Sequence, residues 1–301
     1  MIQRLFQKGV ESFQGVIMIY KQWDTSTPVP CKALRFLYRT IPGRVLLKLL
    51  ISSTVAKIGG AYMNSFLSRA QIKGFIRSNH IDTMRYEDRK YRSYNDYFTR
   101  KQKEGITLPD TDPHHVNAPC DSRLSVYPIN GDSVFTIKDS EYRLTDLLND
   151  SSLAARFNGG FCFIYRLSVD DYHRYSYIDS GECEPSVKIK GILHTVQPIA
   201  TERYNIYKRN AREYTLQHTE RLGDIIYIEV GALMIGKIKN HHTGAYTASR
   251  SEEKGYFEYG GSTVVILFEK DRIVPDPALL KATAEGKESR VLLEDTVAEV
   301  L

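Results

Sequence analysis

Near residue 116 the chain changes texture, and that change limits its possible folds more than any other feature. Before it, Leu34, Leu37, Tyr38, Ile41, Val45, Leu46 and Leu49 recur three or four residues apart, with Lys32, Arg35, Arg39, Arg44 and Lys48 between them. Pro42-Gly43 interrupts the run. The pattern is that of a basic amphipathic helix pair, and it leaves two readings open. The helices could face a core with a solvated charged edge, or lie on a membrane surface. Further helices are expected over 93–103 and 144–157. Beyond residue 116, the runs Phe161–Leu167, Ser186–Leu193, Ile225–Val230 and Thr263–Glu269 are rich in β-branched and aromatic residues and are separated by Gly, Pro, Asn and Asp. Antiparallel strands have this texture. The expected fold class is α+β, with basic N-terminal helices followed by a compact, mainly antiparallel β body. The division falls at residue 105/106.

Charge follows the same division. Residues 1–105 carry a net charge of +12 and the remainder −7, although the whole chain of 301 residues is only +5. A basic third on an acidic body fits docking on an anionic surface, either nucleic acid or acidic lipid. No nucleic-acid motif with a mechanism accompanies it, so the expectation is lipid and no nucleic acid. The most apolar stretch, Val45 to Met63, is interrupted by Lys48 and Lys57 and falls short of the ~20 clean residues that a span requires. Cys31, Cys120, Cys162 and Cys183 form no CxxC pair, which favours free thiols in an unexported chain. The adjacent pairs His114-His115 and His241-His242 point to opposite faces if they lie in strands, so no metal site is expected there.

The most unusual segment is Tyr259-Gly260-Gly261-Ser262-Thr263, which opens the apolar run Val264-Val265-Ile266-Leu267-Phe268. A bare Gly-Gly-Ser would be read as a turn between strands. The longer string resembles the self-processing segment of the phosphatidylserine decarboxylases. Other segments match the same family in order: Tyr94-Asn95-Asp96-Tyr97-Phe98-Thr99-Arg100, Asn117-Ala118-Pro119-Cys120-Asp121, Asp170-Asp171-Tyr172-His173-Arg174-Tyr175, Thr195-Val196-Gln197-Pro198-Ile199-Ala200 and Gly231-Ala232-Leu233-Met234-Ile235-Gly236. The likeness runs from about residue 93 to 273.

That resemblance implies a carboxy-lyase made as a proenzyme. Ser262 Oγ would attack the carbonyl of Gly261 and convert the peptide bond to an ester. Elimination and hydrolysis would then leave a pyruvoyl group at residue 262 and release ammonia. A glycine before the serine removes a Cβ from a strained backbone. The ketone is a built-in electron sink: the serine amine of phosphatidylserine condenses with it as a Schiff base, and loss of CO2 gives phosphatidylethanolamine. The same resemblance implies α and β chains from the cut and a homodimer. It also makes 1–105 a membrane-associating region and 106–301 the catalytic domain, with the protein peripheral at the cytoplasmic face of the cell membrane.

His173 matches the family histidine that serves decarboxylation, as proton donor to the carbanion, and Asp121 matches its catalytic aspartate. One departure stands out. Where the family commonly has a second histidine that serves self-processing, this chain has Ser176, which is no base near neutral pH. His194, in Leu193-His194-Thr195, would supply the missing imidazole, supported by Asp121; the plainer alternative is a hydrogen-bonded, partly buried histidine. Arg166 and Arg174 fit either an anion or a structural ion pair, and Trp23 fits a headgroup layer. Two rival functions are an unprocessed lipid-binding relative without activity and a pyruvoyl decarboxylase for a soluble amino acid. Chain cleavage tests the first, and an assay on free serine tests the second.

Overall fold

Residues 24–25, 32–50, 53–137, 140–191, 210–231, 237–259 and 262–301 are described by the structure, a computed structural model. Helices α1 (Lys32–Arg39) and α2 (Ile41–Leu50) meet at Thr40, whose hydroxyl accepts the Gly43 N–H at 3.0 Å. The break falls at this cap, not at Pro42-Gly43. Pro42 sits in the first turn of α2, where its missing N–H costs nothing. Helices α3 (Ser53–Asn64) and α4 (Ile72–Ser78) follow, joined by a 3₁₀ turn over Phe66–Gln71. Among the described residues, no helix is long and apolar enough to cross a membrane.

Helix α5 (Tyr94–Phe98) is shorter than the 93–103 expected. Ser93 caps its start by accepting the Asp96 N–H, and Asp96 is held by Nη1 and Nη2 of Arg89 at 3.0 and 2.8 Å. Its end is fixed from outside. Arg174 donates to Thr99 O at 2.7 and 3.0 Å and to Arg100 O at 3.3 Å, capturing carbonyls that a longer helix would have used.

The β body begins with β1 (His115–Asn117), β2 (Ser122–Pro128) and the hairpin β3 (Val134–Ile137) and β4 (Ser140–Arg143). The helix expected over 144–157 is two helices, α6 (Leu144–Leu148) and α7 (Ser151–Arg156). Asn149 turns left-handed at φ 56, and Asp150 accepts the Ser152 and Leu153 N–H groups as the next cap. Then come β5 (Phe161–Leu167), β6 (Arg174–Ser176), β7 (Gly181–Cys183), β8 (Val187–Ile189), β9 (Arg212–Thr219) and β10 (Gly223–Gly231). The last elements are β11 (Ile238–Asn240), β12 (Tyr246–Ala248), β13 (Glu253–Phe257), β14 (Ser262–Phe268), β15 (Ile273–Pro275), α8 (Pro277–Ala284), β16 (Ser289–Val291) and β17 (Thr296–Val300).

All the pairings between described strands are antiparallel, so the fold is α+β as expected. The main sheet runs β12-β7-β9-β10-β14-β5-β2-β16, with β8 alongside β9. Its central strand, β14, is buried on both faces, which is why Ser262–Phe268 reads as an unbroken apolar run. Alternation along the strand divides two cores. Val264, Ile266 and Phe268 face one core with Leu167, Tyr175 and Phe257, while Val265 and Leu267 face the other with Val230 and Leu147. The first core is roofed by a small sheet, β11-β13-β6. Within the roof the strands crowd Gly255, where a Cβ would stand 2.3 Å from Lys239 O and 2.9 Å from the Tyr175 hydroxyl.

Roof and main sheet are tied by a buried ion pair. Lys254 Nζ on β13 lies 2.9 Å from Glu229 Oε1 on β10 and donates to Thr215 Oγ1 at 3.2 Å. Asn240 Nδ2 donates to Glu229 Oε2 at 3.3 Å and to Glu213 Oε1 at 3.1 Å, and Asn240 Oδ1 accepts from the Tyr175 hydroxyl. Both charges are wholly buried, so removing one strands the other. Lys254→Met is expected to cost about 3–5 kcal/mol in urea unfolding. A loss under ~1 kcal/mol, the scale of an exposed pair, would show that the pair is solvated.

Candidate active site

Ser262 heads β14, opposite Gly231 of β10 and Leu167 of β5. It shares the parity of Val264 and Ile266, so its side chain belongs to the face roofed by β6 and β13. The residue is wholly buried and its Oγ has no hydrogen-bond partner among the described residues. Nothing among the described residues occupies this hydroxyl, so it is chemically available, as are the buried hydroxyls of Thr263, Ser122 and Ser289. Gly260 and Gly261 lie outside the described residues.

The segment leading into Ser262 is gripped by α5. Asn95 Oδ1 accepts the Tyr259 N–H at 2.8 Å, while Asn95 Nδ2 donates to Asn64 Oδ1 at 3.0 Å. The rings of Tyr94 and Phe98 pack edge-on against Tyr259, with centroids 4.9 and 5.2 Å away. The family-like stretch 94–100 therefore fixes the backbone just before the expected cut. Asn95 carries a role there that its sequence context alone did not reveal.

Phe98 also lies 4.0 Å, centroid to centroid, from His173. One ring thus touches both the histidine and the strand-entry segment. The backbone agrees, since Phe257 N–H donates to His173 O at 2.9 Å. His173 Nδ1 lies 2.9 Å from Asp171 O. A carbonyl only accepts, so Nδ1 carries the proton. Nε2 is buried and has no partner among the described residues. Burial and then the Arg100 charge push the His173 pKa down to about 3, so the imidazole is neutral and Nε2 is a bare acceptor.

Asp121 is buried and accepts the Leu293 N–H at 2.9 Å; burial pushes its pKa up, and that hydrogen bond opposes the rise. Asp171 is pushed up to about 7, first by burial and then by the neighbouring Asp170, with Asp121 adding to the effect. Asp121 and Asp171 are therefore close enough for their charges to repel. His194 lies outside the described residues. Ser176 lines an open cavity of about 210 Å³ with Gln102, Lys103, Thr107, Ser251 and Leu293.

Both arginines left open by the sequence are engaged in the fold. Arg166 is paired with Glu288 through two contacts, at 2.8 and 2.5 Å. Arg174 holds Glu253 at 2.6 Å besides capping α5. The paired histidines serve the surface: His115 meets Asp110, His241 meets Glu253, and His242 stacks on Tyr246. Cys120, Cys162 and Cys183 are buried free thiols, and Trp23 lies outside the described residues.

Residues 94–288 match the family model for phosphatidylserine decarboxylase. The chain is 43% identical to phosphatidylserine decarboxylase proenzyme 2 of Clostridium acetobutylicum, over 88% of this chain and 91% of that one. It is 35% identical to the phosphatidylserine decarboxylase proenzyme of Ruminiclostridium cellulolyticum, over 95% and 98% of the two chains. A proenzyme of that name from Clostridium botulinum is 35% identical over 92% of this chain and 96% of its own. The chain belongs to the phosphatidylserine decarboxylase family.

Proposed function

We infer that the chain is a phosphatidylserine decarboxylase proenzyme that cuts itself between Gly261 and Ser262 and then converts phosphatidylserine to phosphatidylethanolamine. The observation that carries this reading is the orphaned, wholly buried Ser262 hydroxyl at the head of β14. The residues present fit a pyruvoyl group at that position, because the side chain that would generate it is held in a dry site, and the segment leading into it packs on Phe98, the ring that also covers the neutral His173 imidazole. A pyruvoyl group there supplies an electron sink for the electrons of the departing carboxylate.

His173 is the proton carrier of the second step. A neutral imidazole with a bare Nε2 has no proton to give at the outset, so the donor role expected from sequence needs a source. The headgroup ammonium is one. Nε2 takes its proton as the amine is freed, and returns a proton to the headgroup carbon after CO2 leaves. Self-processing falls to His194, supported by Asp121, as Ser176 cannot act as the base.

Lipid docking is the work of the N-terminal helices. Ile41 and Phe66 are each 72% exposed, and Val45, Ile58 and Leu67 are exposed beside them, interleaved with exposed Arg35, Arg39 and Lys57. Apolar side chains edged by cations suit a headgroup layer of anionic lipid. The enzyme is peripheral at the cytoplasmic face of the membrane, and a homodimer is proposed on the resemblance alone. The test of function is release of CO2 from phosphatidylserine vesicles with formation of phosphatidylethanolamine. Free serine is the control; equal turnover of free serine would contradict the lipid reading. Reversing Arg35, Arg39 and Lys57 to glutamate is expected to release the protein from anionic vesicles, at roughly 1 kcal/mol per charge lost. Unchanged sedimentation would mean that the helices dock elsewhere.

A further inference from the structure

Arg100 is wholly buried at the end of the 94–100 stretch, and no carboxylate pairs with it among the described residues. Its Nε and Nη1 have no hydrogen-bond partner. Nη2 makes only long contacts, to Tyr86 Oη at 3.4 Å, Asp170 O at 3.3 Å and Asp171 O at 3.4 Å. The guanidinium lies over the Tyr86 ring at 4.3 Å and the Tyr97 ring at 5.2 Å. Buried arginines are ordinarily paired with an acid, because an unpaired charge in a dry site is costly. Packing alone does not call for this charge, since the two tyrosine rings would seat an apolar chain of the same length.

The contact that gives the charge a purpose is Asp171 O. That one carbonyl accepts from Arg100 Nη2 and also from His173 Nδ1. We propose that Arg100 is a positioning residue for His173: its guanidinium, held on the carbonyl that anchors Nδ1, fixes the imidazole in the Nδ1–H form that leaves Nε2 bare. The proposal rests on the reading of His173 as the proton carrier.

The other groups around the ring do not substitute for it. Phe98 covers one face. The Asp171 carboxylate is turned away, accepting the Ser168 N–H at 2.6 Å. Arg174, next in the chain, is spent on Thr99 O, Arg100 O and Glu253. Tyr94 and Tyr259, packed on Phe98, are neutral, with phenol pKa values raised by burial. Asp121 lies beyond Asp171 and, with Asp170, acts on that carboxyl. The Arg100 charge also opposes protonation of the ring, so a proton accepted at Nε2 is readily given up again.

The test uses ¹⁵N-histidine NMR of the full chain carrying Ser262→Ala, with His173→Ala to assign the signal. In that background His173 is expected to stay neutral, with its proton on Nδ1, down to pH 5. Adding Arg100→Met is expected to raise its titration midpoint by at least about one pH unit, with the Nδ1–H tautomer losing its dominance. Arg100→Lys, which keeps the charge, is expected to hold the midpoint near its original place. An unchanged midpoint and tautomer in folded Arg100→Met overturns the proposal. Should Arg100→Met fail to fold, Arg100→Gln is read in the same way. This chain cannot cut itself, so the titration stays readable even if decarboxylation proves to be the wrong activity. Conversely, an active enzyme with an unmoved titration sinks only the role of Arg100.

Discussion

Ser262→Ala is expected to leave one intact chain of 301 residues with no detectable decarboxylation, the largest effect any single substitution should have here. Alanine at that position keeps the strand, since β14 is held by pairing to β5 and β10 and by the apolar side chains that follow. What it removes is the nucleophile and the only source of the ketone. Stability should hardly change, because the lost hydroxyl makes no hydrogen bond among the described residues. The expected pattern is therefore loss of cutting and of turnover with unaltered thermal unfolding. Wild-type cutting in Ser262→Ala would move the cut away from this residue.

The second large effect separates the two proton tasks. His173→Ala is expected to cut itself normally but to turn over phosphatidylserine ~100- to 10,000-fold more slowly, the range that general acid–base help supplies. His194→Ala is expected to accumulate uncut chain instead. The reverse outcome, with His173→Ala whole and His194→Ala cut, would make His173 the processing base. Its buried bare Nε2 would then be accepting the serine proton.

Much of this site was legible in the sequence because it is written in local chemistry. Two glycines before a serine and an apolar run announce both β14 and the expected cut. The stretch 94–100 was recognisable as a unit, yet its helix ends at Phe98 because Arg174, far along the chain, takes the carbonyls that follow. Helical periodicity carries no trace of such a contact. The split of 144–157 is missed by a reading that expects one helix there, although Asn149-Asp150 before two serines is a stop followed by a cap. Arg100 shows the opposite limit. Sequence gives an arginine in a familiar stretch, but only the fold shows it buried without an acid and sharing a carbonyl with His173.

The cut also has a structural consequence. The 40 residues after Gly261 contribute β14 between β5 and β10, β16 beside β2, and β17 beside β1, so the two products are interleaved in the sheets. They should part only when unfolded. The most direct measurement is therefore the intact mass of freshly purified protein under denaturing conditions. It should show chains of 261 and 40 residues, the smaller one lighter by one ammonia than residues 262–301 and blocked to N-terminal sequencing. A single full-length mass in a preparation that makes phosphatidylethanolamine, or a small chain that begins with free serine, would contradict the account.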